Sequence, residues 1–323
     1  MMKAMVMRQF GGIEELRMEN VAVPTPGEGE LLLKTSYAGV NPVDWKIREG
    51  FLASALPHEF PLILGWDVAG TVLSVGEGVS QFSVGDRVYA YTRKPTVQWG
   101  TYAEFVTVSE SAAALTPHTL TDAQAAGVPL TALTAWQGLF DFAQLKAKQV
   151  VLIHAGAGGV GGFAIQFAKS MGATVITTAT KAKHPYLVDL GADIVIDYST
   201  EDFAQQVREL YPEGIDVVFD GVGGTTLARS FDLLKPKGVL VSIVDTPDVT
   251  VAQEKNVKAG FVFVAPNGAQ LAHISALLDS HTVKALPVEI LPLVRAQEAH
   301  VKSQSHRTVG KMVLEVAIPC VSM

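Results

Sequence analysis

The run Val150-Val151-Leu152-Ile153, followed at once by His154-Ala155-Gly156-Ala157-Gly158-Gly159-Val160-Gly161-Gly162, leaves few folds open to this chain. Four aliphatic residues in a row suit a parallel strand buried on both faces. The turn after them carries Gly156, Gly158 and Gly161 in G-x-G-x-x-G spacing. Beyond it Val160, Ala164, Phe167, Ala168 and Met171 recur at helical spacing, with Gln166, Lys169 and Ser170 expected on the opposite, polar side. A second strand, Thr174-Val175-Ile176-Thr177, completes a βαβ unit of about 30 residues. Glycines in such a turn let a diphosphate approach the backbone, and the N–H groups and dipole at the helix start favour that anion. A plain α/β turn is the rival reading. Val150–Ala168 is also apolar over about a membrane-spanning length, but glycines clustered where the helix starts argue against a spanning helix.

The end of the second strand discriminates between dinucleotides. NAD sites place an acid there, about 20 residues past the loop, to hold the ribose 2′-hydroxyl, whereas NADP sites offer hydroxyls and a cation. Here the chain reads Thr177-Thr178-Ala179-Thr180-Lys181-Ala182-Lys183, with no carboxylate before Asp189. NADP(H) is therefore expected, with Thr180, Lys181 and Lys183 around the 2′-phosphate. The alternative is that both lysines are solvated residues at a helix start.

The 323 residues, 48% hydrophobic and 18% charged, can bury two domains. A net charge of −7 with no dense basic stretch argues against a nucleic-acid partner. The single cysteine, Cys320, excludes a disulfide framework and a cysteine zinc cluster. Charge interrupts Met1–Arg8 too early for a secretory h-region, so a cytoplasmic protein with no membrane partner is expected.

Residues 1 to about 120 alternate strand candidates (Ala4–Arg8, Glu30–Val40, Asp67–Val75, Asp86–Tyr89, Ala103–Val108) with glycine and proline turns, which suits an antiparallel barrel. Thr121-Asp122-Ala123-Gln124 reads as a helix start, and Leu130–Phe142 as one long apolar helix. After the glycine loop, strand and helix alternate to about Val264, which means a doubly wound parallel sheet. The last helices and the strand at Lys311–Val316 are assigned back to the first domain. The expected division is 1–124 with 266–323 as one domain and 125–265 as the other.

Several blocks carry a resemblance: Ala38-Gly39-Val40-Asn41-Pro42-Val43-Asp44-Trp45, Pro61-Leu62-Ile63-Leu64-Gly65-Trp66-Asp67-Val68-Ala69-Gly70, Val84-Gly85-Asp86-Arg87-Val88, Leu133-Thr134-Ala135-Trp136, Ala157-Gly158-Gly159-Val160-Gly161 and Gly310-Lys311-Met312-Val313-Leu314. In order and spacing the chain resembles the medium-chain dehydrogenase/reductase superfamily, within it the zinc-independent quinone oxidoreductase-like group that includes alkenal and enone reductases. The resemblance implies an α/β chain: a GroES-like β-barrel domain made of both chain ends and an inserted Rossmann domain with a doubly wound parallel sheet. It implies NADP(H) held by Gly156, Gly158, Gly159, Val160 and Gly161. Lys183 and Tyr198 match positions around the 2′-phosphate and adenine ribose. Asp220, Gly221 and Val222 match the ribose side, Thr134 and the Val244 backbone flank the nicotinamide, and Arg307 roughly aligns with a phosphate-directed cation. Asn41, with Asp44 and Thr134, matches the reacting end, although Asn41-Pro42-Val43-Asp44 also reads as a helix N-cap with proline at N1. Phe51 stands where several relatives have a tyrosine over the substrate.

The zinc branch keeps a His-Glu pair where this chain has Trp66-Asp67. Asp44 with Asp67 would be a poor zinc site, and hydrogen bonding is the expected use of both. His154 reads as a core histidine. The implied reaction is hydride transfer to a quinone or to the C=C bond of an α,β-unsaturated carbonyl, by a homodimer pairing near Gly260–Val264. The alternatives are a non-catalytic NADPH-binding protein, or an enoyl-thioester reductase with Tyr91 as a candidate donor.

Overall fold

The computed structural model describes residues 1–305 and 308–316. They form two units: Met1–Leu130 with Ala265–His281 and the chain from Ala285, and Thr131–Val264 with Thr282–Lys284. The expected phosphate contact Arg307, like Cys320, lies outside the described residues.

In the second unit six strands form one sheet in the order Ile194–Ile196, Thr174–Thr178, Val150–Ile153, Ile215–Asp220, Leu234–Ser242, Lys258–Phe261. Every pairing is parallel. Strands this rich in Val and Ile must be covered on both faces. Leu152, Ile176, Ile196, Val218 and Leu240, one from each of five strands, pack with Phe203, Val207, Leu227 and Phe231 in one apolar cluster. Strand order reverses between Val150–Ile153 and Ile215–Asp220, so the crevice beyond their carboxyl ends is where such a sheet binds ligands.

Two expectations in this unit are corrected. Leu130–Phe142 is not one α-helix: an α-helix, Pro129–Trp136, passes into a π-helical stretch, Gln137–Phe142. Gly138 lies in that stretch, and a Cβ on it would stand 2.5 Å from the Phe219 ring. A glycine there lets the wider turn press onto the sheet. Gln166 is not on a polar face. The helix Gly159–Ser170 is buried continuously from Gly161 to Ala168. The Gln166 amide accepts from Lys284 N at 2.7 Å and donates to Lys284 O at 3.1 Å, so the returning segment Thr282–Lys284 covers that side.

The first unit is built on Glu30–Val40. It pairs antiparallel with Asp67–Val75, with Phe105–Ser109 and with the late strand Lys311–Glu315. Register shifts between Leu32 and Leu33 and between Thr35 and Tyr37 let one strand serve these partners. A seven-stranded and a four-stranded sheet result, and both chain ends contribute, as expected. Two pairings are parallel, Val288–Pro292 with Lys311–Glu315 and His58–Ile63 with Val97–Trp99. Thr121 caps Asp122–Ala126 by accepting from Gln124 N, the capping box read from the sequence.

Candidate nucleotide site and buried polar cluster

The glycine loop closes the second unit's first strand, and its three glycines differ in what they touch. A Cβ on Gly156 would lie 2.1 Å from Thr177 Oγ1, and one on Gly161 would lie 2.4 Å from the Ala155 carbonyl oxygen. Both are required by internal packing. Gly158 is different: its Cβ would meet nothing closer than Ala155 O at 3.5 Å, and its φ of −78° suits any residue. Gly158 is the N-cap of the twelve-residue helix Gly159–Ser170, with no side-chain cap over the helix start. Nothing inside the protein requires a glycine there, whereas a diphosphate approaching the N–H groups from Gly159 to Gly161 would. The site therefore fits a dinucleotide.

Beyond the second strand, Thr180 precedes a 3₁₀ turn, Lys181–Lys183. Lys181 is exposed and Lys183 half-buried, and among the described residues neither is in an ion pair. Tyr198 is 57% exposed on the next turn. One residue here escaped the sequence reading. Ile196 pairs with Thr178, so Asp197, the residue after the third strand, stands beside Ala179 at the end of the second, next to where an NAD site carries its acid. Hydrogen bonds from Ser199 hold its carboxyl below the usual carboxylate range. The signal was the acid directly after Ile194–Ile196, legible only once strand order is known.

Asp220, at the end of Ile215–Asp220, is fully buried. Its carboxylate accepts from Val222 N (3.1 Å), Gly223 N (3.0 Å) and Ser242 Oγ (2.7 Å), so it shapes the turn bearing Gly221 and Val222. A Cβ on Gly221 would lie 3.4 Å from His154 O, so this turn stands against the glycine loop. The Val244 N–H reaches Ser242 Oγ at 3.3 Å. His154 lies between Thr178 Oγ1 (3.2 Å) and Ser230 Oγ (2.9 Å). Ser230 donates to Thr226 O, so His154 Nε2 donates to Ser230 and Nδ1 accepts from Thr178. Burial pushes the ring down to about 4, which makes it a neutral core histidine. Thr134 is buried in the helix Pro129–Trp136.

In the first unit, Asn41, Asp44, Asp67, Tyr102 and Lys311 form a buried polar cluster. Asn41 is the N-cap of Pro42–Arg48, with proline at N1, and its N–H donates to Asp44 Oδ2 at 2.7 Å. Its side chain is used elsewhere: Nδ2 donates to Asp67 Oδ2 at 2.8 Å, and Oδ1 accepts from Lys311 Nζ. Lys311 also donates to Val40 O at 2.9 Å and lies 3.9 Å from Asp67. Tyr102 donates to Asp44 Oδ2 at 2.9 Å, and Leu130 N to Asp67 Oδ1 at 2.8 Å. Burial raises Asp44 to about 7 and Asp67 to about 6, while it lowers Lys311.

This cluster does not fit zinc. Its donors are two carboxylates and an amide, without the thiolates and imidazoles zinc selects, and a lysine ammonium already occupies the cationic position. Among the described residues no group of three or more His, Cys, Asp or Glu could hold a metal ion. Phe51, at the position of the relatives' tyrosine, is 65% exposed and meets Trp45 edge-on at 6.1 Å. Tyr91 is fully buried. Among the described residues no helix is long and apolar enough to cross a membrane.

Comparison with known proteins agrees with both halves of this description. Residues 27–118 match the alcohol dehydrogenase GroES-like domain and residues 190–314 match the zinc-binding dehydrogenase family. The chain is 36% identical to the NADPH-dependent alkenal/one oxidoreductase, chloroplastic, of Arabidopsis thaliana, over 97% of this chain and 79% of that one. It is similar to the solved quinone oxidoreductase of Coxiella burnetii, at 34% identity and a TM-score of 0.87 over 98% of this chain and 99% of that one. The Escherichia coli quinone oxidoreductase complexed with NADPH matches at 29% identity and a TM-score of 0.86, over 97% of this chain and 100% of that one. With this fold, loop and coverage, the chain belongs to the medium-chain dehydrogenase/reductase family, among its quinone and alkenal/one oxidoreductases.

Proposed function

We propose that this chain is an NADPH-dependent, zinc-independent oxidoreductase that transfers hydride to a quinone or to the activated C=C bond of an α,β-unsaturated carbonyl. The observation that carries the reading is the open backbone at Gly158, on the same sheet edge as a turn bearing two lysines outside any described ion pair. The relatives named as NADPH-dependent alkenal/one oxidoreductase and as quinone oxidoreductase with NADPH support it.

NADPH, when bound, supplies the hydride. The chain's own part is to bind and orient. The N–H groups from Gly159 to Gly161 take the diphosphate, with Gly158 leaving the approach clear. Thr180, Lys183 and Tyr198 take the 2′-phosphate side, and the turns held by Asp220 and Ser242, with Gly221, Val222 and the Val244 backbone, line the ribose and nicotinamide. Thr134 packs beside the nicotinamide. Asn41 and Asp44 are proposed as positioning residues, a reading supported by their full burial and by Lys311, which fixes the Asn41 amide with its oxygen toward the ammonium. Such chemistry asks chiefly that the two reactants be held together away from water. The edge strand Lys258–Phe261, beside which Phe261 and Phe263 are each 41% exposed and stacked at 6.4 Å, is the proposed face for a second copy of the chain.

The test is steady-state oxidation of NADPH, and of NADH alongside, with benzoquinones, enones and enoyl thioesters. Quinones or enones are expected to accelerate NADPH oxidation and thioesters are not. Lys183→Glu is expected to raise the KM for NADPH about tenfold or more and to leave that for NADH unchanged. Preference for NADH would overturn the cofactor assignment, and failure of every acceptor would leave a binding protein.

A further inference from the structure

Two separate turns flank the place where a 2′-phosphate would lie: Thr180–Lys183, after the second strand, and the turn from Asp197 to Glu201, after the third. The first carries Lys183 and the second Tyr198. The ladder ends just before them, at Thr178 with Ile196 and the bond from Ala179 N to Ile196 O, so it brings the two turns side by side but does not hold their far residues. One carboxylate spans them. Asp197 Oδ2 accepts from the backbone N–H of Lys181 at 3.2 Å, while Oδ1 accepts from Ser199 N at 3.0 Å and Ser199 Oγ at 2.6 Å. The Asp197 N–H donates to Glu201 Oε2 at 2.9 Å, and the Asp197 carbonyl accepts from Thr200 N and Glu201 N. The residue is only 6% exposed.

We infer that Asp197 is the positioning residue that sets this chain's preference for a 2′-phosphorylated adenosine, by clamping the turn that carries Lys183 to the turn that carries Tyr198. This rests on the NADPH reading above and goes beyond it. An acid so close to a phosphate would ordinarily repel it. Here both oxygens are turned onto three donors of the protein, so the lone pairs serve the clamp. The carboxylate neighbouring the end of the second strand is thus already engaged.

An Asn at this position has one oxygen where the Asp has two. Keeping both Ser199 bonds puts its NH₂ against the Lys181 N–H, two donors face to face, and the Lys181 turn is released. The readout is calorimetric affinity for 2′,5′-ADP against 5′-AMP, which needs no turnover, with the melting temperature measured on each variant. Asp197→Asn is expected to lower the 2′,5′-ADP/AMP affinity ratio about tenfold, with AMP affinity unchanged.

A second pair of variants acts on the other end of the clamp. Lys181→Ala and Lys181→Pro lose the same charge, but only the proline also loses the N–H that Asp197 accepts. Thr180 precedes it at φ −67° and ψ 149°, a conformation proline tolerates in its predecessor. The proline variant is expected to show a ratio several-fold below that of the alanine variant. A ratio unchanged or raised in Asp197→Asn, together with equal ratios for the two Lys181 variants, overturns the inference and leaves the NADPH reading standing. A wild-type chain that binds AMP as tightly as 2′,5′-ADP overturns the NADPH reading itself.

Discussion

Gly158→Val is expected to weaken NADPH binding at least about a hundredfold while moving the melting temperature by no more than about 4 °C. The separation follows from the geometry. A Cβ at Gly158 would meet nothing closer than Ala155 O at 3.5 Å and the backbone there is extended at ψ 173°, so the first side-chain atom adds no internal clash. What it fills is the approach to the N–H groups at the start of Gly159–Ser170, where a diphosphate gains charge-assisted hydrogen bonds and a favourable dipole. Gly161→Ala is the contrast. Its Cβ would fall 2.4 Å from Ala155 O and 2.7 Å from Gly156 Cα, both backbone atoms, so the loop must shift and stability falls with binding. Calorimetric titration beside thermal melts reads both quantities. A Gly158→Val protein that binds NADPH as the wild type does would remove the loop from the cofactor site.

Lys311→Met is expected to destabilise the chain by about 3–5 kcal/mol at pH 8 and by clearly less at pH 5. At the higher pH the substitution leaves Asp67 and Asp44 buried without the ammonium that faces Asp67 at 3.9 Å, so each carboxyl must either stay charged and unpaired or take up a proton against the pH. At the lower pH the carboxyls can stay protonated, because burial has already raised Asp44 to about 7 and Asp67 to about 6. The sign is that of carboxyls whose folded values lie above their unfolded ones. Between about pH 4 and pH 7 the folded chain holds more protons than the unfolded chain, so this part of its stability is complete below the unfolded value and is lost as pH rises through the folded ones. Without Lys311 both carboxyls move further up, and the loss becomes steeper and extends to higher pH. Urea unfolding of both proteins at pH 5 and pH 8 checks this. A penalty of equal size at the two pH values would mean that Lys311 contributes packing and not charge.

What was legible in the sequence is what lies close along the chain. The glycine loop, its strand and its helix fall within about 30 residues, and each carries its own local signal, so the dinucleotide half could be read directly. The long strands Glu30–Val40 and Asp67–Val75 were legible because short apolar runs in them are bounded by glycine and proline turns. Arg17–Val21 was missed because Arg-Met-Glu-Asn-Val is polar and largely exposed, and it forms only by pairing with Met2–Met7. Asp197 became part of the site through the parallel register of Ile196 with Thr178, which no spacing reveals. The polar cluster brings Asn41, Asp67 and Lys311 from three distant segments, and only Asn41–Asp44 showed a local reason to be polar, as a cap. Gln166 was placed on the wrong face because the segment that covers it returns more than a hundred residues later.

The most direct measurement is calorimetric titration of the purified wild-type chain with NADPH and with NADH. One NADPH is expected to bind per chain, at least about tenfold tighter than NADH, as cations and hydroxyls around an extra phosphate require. Equal affinity for the two, or no heat of binding with either, would contradict it.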